Sequence, residues 1–550
     1  MMRMNVAEAV IEYIRQSDVD TIFGYPGGAV LPLYEALRNS KVKHVLVRNE
    51  QSAAHMASGY GRGKNGIGVC LATSGPGATN LITGIATAYM DSIPLVVITG
   101  QVDSKNIGSD MFQEADIVGS TEPFTKHNFL VKKAKDIPKF LAEAFYIANT
   151  GRKGPVLIDI PIDIQNEIID FEIIKDVDIR GYKPTFKGNV RQIKRAVQKI
   201  NNSKKPIICV GGGISSSDGR DFLAEFVEKT KIPVVCTLMG VDSYDNNSEY
   251  FAGLLGSHGY PFVNKALNSS DLLIVIGARL ADRSTSKYAF KSNQSIIHID
   301  IDPAEIGKNV KTHVPIVGDA SNVLKTLNTF DFTLDCSQWQ KEIKSSRTKY
   351  KKSILDYKEK SNKVNPCVLI DKVSSKMGKN SILTADVGQN QIWAAHFYNG
   401  SKTRKYFTSG GLGTMGYSLP GSIGAKIACP DCDVVAVTGE GGIQMLLGEL
   451  AVVREQNLDI KIILLTNSRL GMVRELQLNN YGNDSYFGVD IQFNPNFMKL
   501  AEAYEVKGIK IETDDEIDGK LEECFSQKGP CLVECIVDPD FPTLSHWRWN

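Results

Sequence analysis

Short, continuously apolar runs recur along the chain, each followed by a Gly-containing turn and then a helical period. The first third carries such runs at 21–23, 44–47, 68–72, 95–98 and 156–159. The middle carries them at 206–210, 233–236, 272–276 and 296–299, and the last third at 381–385, 434–438, 460–466 and 530–536. Runs that do not alternate suit strands covered by helices on both faces. The rhythm therefore predicts an α/β protein built from doubly wound parallel sheets.

Two stretches interrupt the rhythm. A polar segment at 171–190 reads as a linker. From 335 to 364 the chain turns strongly charged, through Lys341, Glu342, Lys349, Lys351 and Lys358, and reads as a solvated helix between two units. These breaks predict three α/β domains, at 1–170, 190–335 and 365–550. A chain of 550 residues agrees with that number, at roughly 150 residues per domain.

Composition narrows the function classes. Apolar residues make up 42% and charged residues 23%, which is ordinary for a globular chain. Lys and Arg number 63 against 62 Asp and Glu, so no overall field draws the protein to nucleic acid or an anionic membrane. No apolar run approaches the ~20 residues that span a bilayer, and the opening Met-Met-Arg-Met-Asn lacks the apolar core of a secretory signal. The ten cysteines lie mostly in apolar runs, and the one C-x-x-C, Cys429 to Cys432, has no second pair at zinc spacing. Reduced cysteines and a cytoplasmic location are expected.

Candidate chemistry concentrates at the ends of the apolar runs. Thr438-Gly439-Glu440-Gly441-Gly442 closes one run and Leu465-Thr466-Asn467 closes the next. On neighbouring parallel strands, Glu440 and Asn467 would emerge together at the carboxyl edge, where open α/β sheets bind ligands. A carboxylate and an amide oxygen suit Mg²⁺, which keeps other positions for water and phosphate oxygens. Gly441 and Gly442 would let backbone N–H groups approach a diphosphate. The same residues also fit a plain Gly-rich turn with a solvated Glu. In the middle third, Gly211-Gly212-Gly213, Gly277-Ala278-Arg279, Asp300-Ile301 and Gly318-Asp319-Ala320 each follow or end an apolar run. Glycines and Arg279 suit a pyrophosphate, and Asp300 a ribose hydroxyl. A nucleotide-free domain whose glycines are only turns fits as well.

Gly439-Glu440-Gly441 with Asn467 resembles the diphosphate- and metal-binding motif of thiamine diphosphate enzymes. Further segments extend the likeness: Phe23-Gly24-Tyr25-Pro26-Gly27-Gly28-Ala29, Glu50-Gln51, Thr73-Ser74-Gly75-Pro76-Gly77-Ala78-Thr79-Asn80, Phe112-Gln113-Glu114-Ala115-Asp116, Lys126-His127-Asn128, Ser409-Gly410-Gly411-Leu412-Gly413-Thr414-Met415-Gly416 and Leu470-Gly471-Met472-Val473. In that order, over nearly the whole chain, they are similar to the acetolactate (acetohydroxyacid) synthase large subunits.

The resemblance implies a pyrimidine-binding, a central FAD-type and a diphosphate-binding domain. It implies a homodimer or tetramer, because in that family the counterparts of Glu50 and of the metal motif meet across a subunit interface. Thiamine diphosphate would be held by Gly27, Gly28, Pro76, Asn80, Gly388, Gln389, Gly413, Met415, Gly441, Gly442, Gly471 and Met472. Mg²⁺ would be held by Glu440, Asn467 and Arg469. FAD, not needed as a redox carrier for the main reaction, would be held by Gly211, Gly212, Gly213, Gly277, Arg279, Asp300, Ile301, Asp319 and Ala320. Glu50 would contact N1′ of the cofactor's aminopyrimidine, where a carboxylic acid favours the imino tautomer that removes the thiazolium C2 proton. Met415 would support the cofactor's bent shape, and Phe112, Gln113, Val473 and Leu476 would line the pocket for a 2-keto acid. A small regulatory subunit is a further partner that the resemblance suggests.

Some positions depart from the family pattern. The usual metal Asp is Glu440, one methylene longer. Asn49 stands where His is usual, and Asn390 replaces the His of Gly-Gln-His-Gln. Ile162 replaces a Lys near the substrate entrance, Ser257 an adjoining Met, and Leu476 a Trp that favours 2-ketobutyrate as acceptor. The first expectation is decarboxylation of pyruvate and ligation of the hydroxyethyl unit to a second pyruvate, giving 2-acetolactate for branched-chain amino acid biosynthesis. Losing a cation and an aromatic keeps open another acceptor, such as a keto sugar nucleotide or an aldehyde. Glu440 keeps open a catalytically weak paralogue that binds nucleotide.

Overall fold

The computed structural model describes residues 2–285, 294–355, 362–482 and 485–543. The first strand, β1 (Met2–Asn5), leads into a six-stranded sheet of β2 (Thr21–Tyr25), β3 (Lys43–Leu46), β4 (Gly68–Ala72), β5 (Leu95–Gln101), β6 (His127–Leu130) and β7 (Pro155–Pro161). Its order is β3-β2-β4-β5-β7-β6, and β8 (Ile168–Phe171) then returns to pair antiparallel with β1. The second sheet holds β9 (Pro206–Val210), β10 (Val234–Cys236), β11 (Phe251–Leu254), β12 (Leu272–Ile276), β13 (Ser295–Asp300) and β14 (Val314–Val317), in the order β11-β10-β9-β12-β13-β14. The third holds β15 (Ser381–Ala385), β16 (Arg404–Thr408), β17 (Asp433–Gly439), β18 (Ile460–Thr466), β19 (Lys507–Ile511) and β20 (Cys531–Ile536), in the order β16-β15-β17-β18-β20-β19.

Every ladder in the three six-stranded sheets is parallel. The central strands are buried on both faces, as their unbroken apolar runs require; every residue of β5, β7, β9 and β18 is buried. Each fully buried Val, Leu or Ile contributes roughly 1.5–3 kcal/mol of transfer free energy. The strands absent from the sequence reading are mostly edges: β6, β11, β14, β16 and β19. They are short or carry polar residues, as edges that must not pair with another chain do. His127 lies exposed on one of them and packs edge-on against Phe129 at 4.5 Å between ring centroids.

Two helices tie the first sheet to the third. α1 (Glu50–Lys64) and α2 (Ser418–Ala428) cross so closely that a Cβ on Gly424 would lie 1.8 Å from the Met56 carbonyl oxygen. A Cβ on Gly59 would lie 2.1 Å from that of Gly421. Small residues let the two backbones touch. Arg62, near the end of α1, donates to the Tyr406 and Thr408 carbonyls at 3.1 and 3.2 Å and covers the Phe407 ring.

One expectation is corrected. The charged stretch forms a helix, Ser337–Leu355, solvated along its charged face but packed along the other. Trp339, Ile343, Tyr350 and Ile354 make one buried face, and Trp339 Nε1 donates to the Pro206 carbonyl at 3.2 Å. Lys358 lies outside the described residues. Among the described residues, no helix is long and apolar enough to cross a membrane.

Candidate active site

β17 and β18 are neighbours in register, Gly439 opposite Leu465, so their carboxyl ends deliver the next residues to one place. Glu440 opens the short helix α3 (Glu440–Met445) and Asn467 follows β18. Glu440 is 2% exposed, and its Oε1 accepts the Asn467 N–H at 3.1 Å. Burial pushes the Glu440 carboxyl above the usual carboxylate range, against the backbone N–H groups of residues 440 and 467–469. Asn467 Oδ1 accepts the Arg469 N–H at 3.1 Å, and its Nδ2 donates to Gln389 Oε1 at 3.1 Å. Gln389 Nε2 in turn donates to Glu475 Oε1 at 2.8 Å. Glu440, Asn467, Arg469 and Gln389 wall a cavity of about 120 Å³ with Gly388, Met415, Gly441, Gly442 and, from the start of α4 (Gly471–Tyr481), Gly471, Met472 and Val473.

The cavity has the chemistry of a diphosphate cradle. A Cβ on Gly441 would sit 3.3 Å from Met415 Cε and 2.9 Å from Leu470 Cδ2. A Cβ on Gly471 would strike Gln389 Oε1 at 1.9 Å, so glycine is what lets α4 start beside that amide. Asn390, in the wall, keeps a buried Oδ1 without a hydrogen-bond partner among the described residues. The Arg469 side chain points elsewhere, with Nη1 on Asp540 at 2.6 Å and Nε 3.4 Å from Asp490. A guanidinium cannot ligate a cation, so its backbone carbonyl is the group it can offer.

Asp386 is a residue the sequence reading missed. It is 1% exposed and follows β15. Its carboxylate accepts the N–H groups of Gly416 at 2.8 Å and Ser418 at 3.3 Å, and a Cβ on Gly442 would come 2.8 Å from its Cγ. It thus pins the Met415 loop to the end of β15, with Gly442 of α3 packed close against it. Burial pushes its carboxyl up to about 6, against those donors. A lone Asp after an apolar run was the only signal.

The N-terminal candidates form a second cluster. Asn49 caps α1, its Oδ1 accepting the Gln51 N–H at 2.8 Å, and leaves Glu50 in the first turn. Asn80 Nδ2 donates to Glu50 Oε2 at 2.9 Å, and a Cβ on Gly77 would lie 3.3 Å from Glu50 Oε1. Gly27 packs on Thr73, whose hydroxyl accepts the Ala29 N–H at 3.2 Å; among the described residues nothing lies within 4 Å of the Cβ position of Gly28. Pro76 and Asn80 are exposed, Gln113 is half-buried and Phe112 is 87% exposed. None of these residues lines the cavity around Glu440. Phe112 and Gln113 are therefore not brought into that wall with Val473, and Leu476 lines a different cavity.

That second cavity, of about 670 Å³, runs from the middle sheet to the C-terminal domain. Gly212, Gly213, Gly277, Arg279, Asp300, Ile301, Asp319 and Ala320 line it, as do Gly413, Met472 and Leu476. Burial lifts the Asp300 carboxyl to about 6, and its Oδ1 accepts the Asp302 N–H at 2.9 Å. Two candidates also have roles in the fold. Gly211 does not line the cavity; a Cβ there would lie 2.2 Å from the Gly277 carbonyl oxygen. The Asp319 carboxylate caps the helix Ala320–Leu327, accepting from the Ser321 hydroxyl at 2.6 Å and the Ser321 N–H at 3.1 Å. Asp91 was also missed: it lines this cavity, accepts the Gly411 N–H at 2.6 Å, and is raised to about 6 by burial.

A buried acid and an amide at adjacent strand ends, with a glycine cradle beside them on the last of three parallel sheets, suit a cation-bound diphosphate, as in thiamine diphosphate-dependent enzymes. Family models agree: the thiamine pyrophosphate enzyme N-terminal binding domain matches residues 4–120, the central domain 193–327 and the C-terminal binding domain 386–535. Among curated relatives, a probable acetolactate synthase large subunit of Methanocaldococcus jannaschii is 45% identical over 548 residues, 98% of this chain and 92% of its own. The acetolactate synthase large subunit of Buchnera aphidicola is 46% identical over 521 residues, 94% of this chain and 91% of its own. That of Haemophilus influenzae is 43% identical over 549 residues, 98% and 95%. The chain belongs to the acetolactate synthase large-subunit family.

Proposed function

We propose that this chain forms acetolactate from pyruvate at a centre that two copies complete. The observation that carries the reading is the buried Glu440–Asn467–Gln389 chain beside the glycine cradle, set apart from the exposed Glu50–Asn80 pair. When bound, thiamine diphosphate supplies the electron sink that accepts the electron pair as CO₂ leaves pyruvate and passes the two-carbon unit to a second 2-keto acid. Glu440, the Asn467 side chain and the Arg469 carbonyl would hold Mg²⁺, and Gly441 and Gly442 would offer N–H groups to the diphosphate. Met415, in the cavity wall, would support the bound cofactor, and Glu50 would hold or release a proton at its carboxyl for the pyrimidine nitrogen.

Tyr25, Leu31 and Phe112 in the N-terminal part, and Leu412, Met445 and Val473 in the C-terminal part, are large apolar side chains left exposed on one chain. Such surface marks an interface, which favours a homodimer as the smallest complete enzyme. The larger cavity has the size and the mixed glycine, Arg and Asp lining of a dinucleotide site, and FAD is its proposed occupant. A small regulatory subunit and a cytoplasmic location belong to the same proposal. Leu476, half-exposed on α4, gives little to grip a larger acceptor, so pyruvate is the proposed acceptor and any 2-ketobutyrate preference is weak.

One assay tests this reading: purified protein with pyruvate, Mg²⁺ and thiamine diphosphate, with and without FAD, scored for CO₂ and acetolactate. Acetolactate from pyruvate alone is expected. CO₂ release without acetolactate would move the acceptor to another compound, and neither product would overturn the reading.

A further inference from the structure

Glu449 ends the short turn Leu447–Glu449, just past α3, whose first residue is Glu440. It is 1% exposed. Its Oε1 accepts two backbone N–H groups, Arg48 at 3.0 Å and Asn49 at 3.1 Å. These are the two residues that precede Glu50. The next helix, Leu450–Glu455, adds an ion pair between Glu455 Oε2 and Arg48 Nη2 at 2.6 Å. The start of α1 is therefore clamped from the segment that Glu440 opens, within the same chain.

The clamp is chemically odd. The Glu449 carboxyl is buried and faces the buried Ser52 hydroxyl as well as the two N–H groups. Burial raises it, against the Ser52 hydroxyl and the two N–H donors. A buried acid is a costly way to satisfy two N–H groups, and groups of that kind concentrate where placement matters more than stability.

We propose that Glu449 is a positioning residue for Glu50. It fixes the first turn of α1 against the metal-holding segment, so that Glu50 presents its carboxyl at one orientation. The inference rests on the reading of Glu50 as the acid that serves the pyrimidine. In the two-copy arrangement it has a consequence: Glu50 serves one centre and the Glu440 of the same chain serves the other. Glu449 then joins the two centres through a single chain, from the cation site of one to the proton donor of the other.

The test uses the holoenzyme with four variants: Glu449→Ala, Glu449→Gln, Glu50→Gln and the Glu50→Gln/Glu449→Ala pair. Glu449→Ala is expected to lower kcat roughly 10- to 100-fold while KM for pyruvate stays within about twofold, because the reacting group is displaced and the substrate site is not. Glu449→Gln keeps an oxygen for both N–H groups and should stay within about threefold of the parent. A residue acting through Glu50 adds nothing once Glu50 is gone, so the double variant should match Glu50→Gln within about twofold. Where Glu449→Ala does not fold, Glu449→Asp draws the oxygen back by one methylene and is read the same way. A folded Glu449→Ala or Glu449→Asp with parental kcat overturns the inference, and so do losses that multiply in the double variant. If Glu50→Gln itself keeps parental activity, the reading of Glu50 falls and this inference with it. An impaired Glu50→Gln beside a parental Glu449→Ala removes this inference alone.

Discussion

The two halves of the site are built in opposite ways. The half on the third sheet is finished inside the chain: Glu440 is 2% exposed, Asn467 and Gln389 are bonded in line, and Asp386 fixes the loop above them. The half on the first sheet is ordered but open. Glu50 has Asn80 at 2.9 Å, yet Pro76 and Asn80 face outward and Phe112 is 87% exposed. The difference teaches that rigidity and enclosure are separate achievements. The diphosphate half must exclude water around a cation, and one chain suffices. The acid half only has to hold a carboxyl still until another surface covers it.

The largest expected effect falls on the open half. Glu50→Gln should lower kcat by about 10²–10⁴, the range of acid–base catalysis, while thiamine diphosphate still binds by calorimetry. Equal loss of binding would mean that Glu50 builds the site rather than works in it. On the closed half, Gly471→Ala puts a Cβ 1.9 Å from Gln389 Oε1 and should displace the amide that orients Asn467. A fall in cofactor affinity of roughly tenfold or more is expected, with melting changed less; unchanged affinity would show that the line of amides is ornamental to binding.

The junction between the halves gives a smaller effect. Gly424→Ala drives a Cβ to 1.8 Å from the Met56 carbonyl and should cost about 1–3 kcal/mol, read as a lower melting midpoint. A parental midpoint would mean that the α1–α2 crossing is loose. The smallest effect lies away from both halves. Asp159 accepts from Thr99 at 2.7 Å and Gln101 at 3.1 Å, and burial pushes its carboxyl up to about 7. The folded form holds that proton more tightly than the unfolded chain, whose Asp titrates near about 3.9. The parent therefore gains stability as pH falls from about 7 toward 4, and this gain is absent above 7. Asp159→Asn removes the effect, so the parent's advantage over the variant should be larger at pH 5 than at pH 8. Equal differences at the two values would contradict the burial argument.

Much of this was legible in the sequence for physical reasons. Strands covered on both faces must be apolar throughout, so the central strands announced themselves. The edges β11, β14, β16 and β19 did not, because an edge is kept short or polar to stay unpaired. Glu440 and Asn467 could be placed together because consecutive parallel strands end on one side of a sheet. Asp386 and Glu449 could not, since a single acid has no pattern until folding supplies its partners. The charged stretch misled by its many lysines, although Trp339, Ile343, Tyr350 and Ile354 keep the helical spacing of a buried stripe. Gly211 and the Asp319 side chain fit a nucleotide motif by type, and they also serve close packing and a helix cap, which no motif announces.

The most direct measurement of the shared centre mixes two inactive variants. Glu50→Gln and Glu440→Ala are purified separately, dissociated, and reassociated together. If each centre takes its acid from one chain and its cation site from the other, every mixed dimer holds one intact centre, and acetolactate formation should recover to roughly a quarter of the parent. If both groups serve a centre within one chain, each chain in the mixture stays defective and no activity returns.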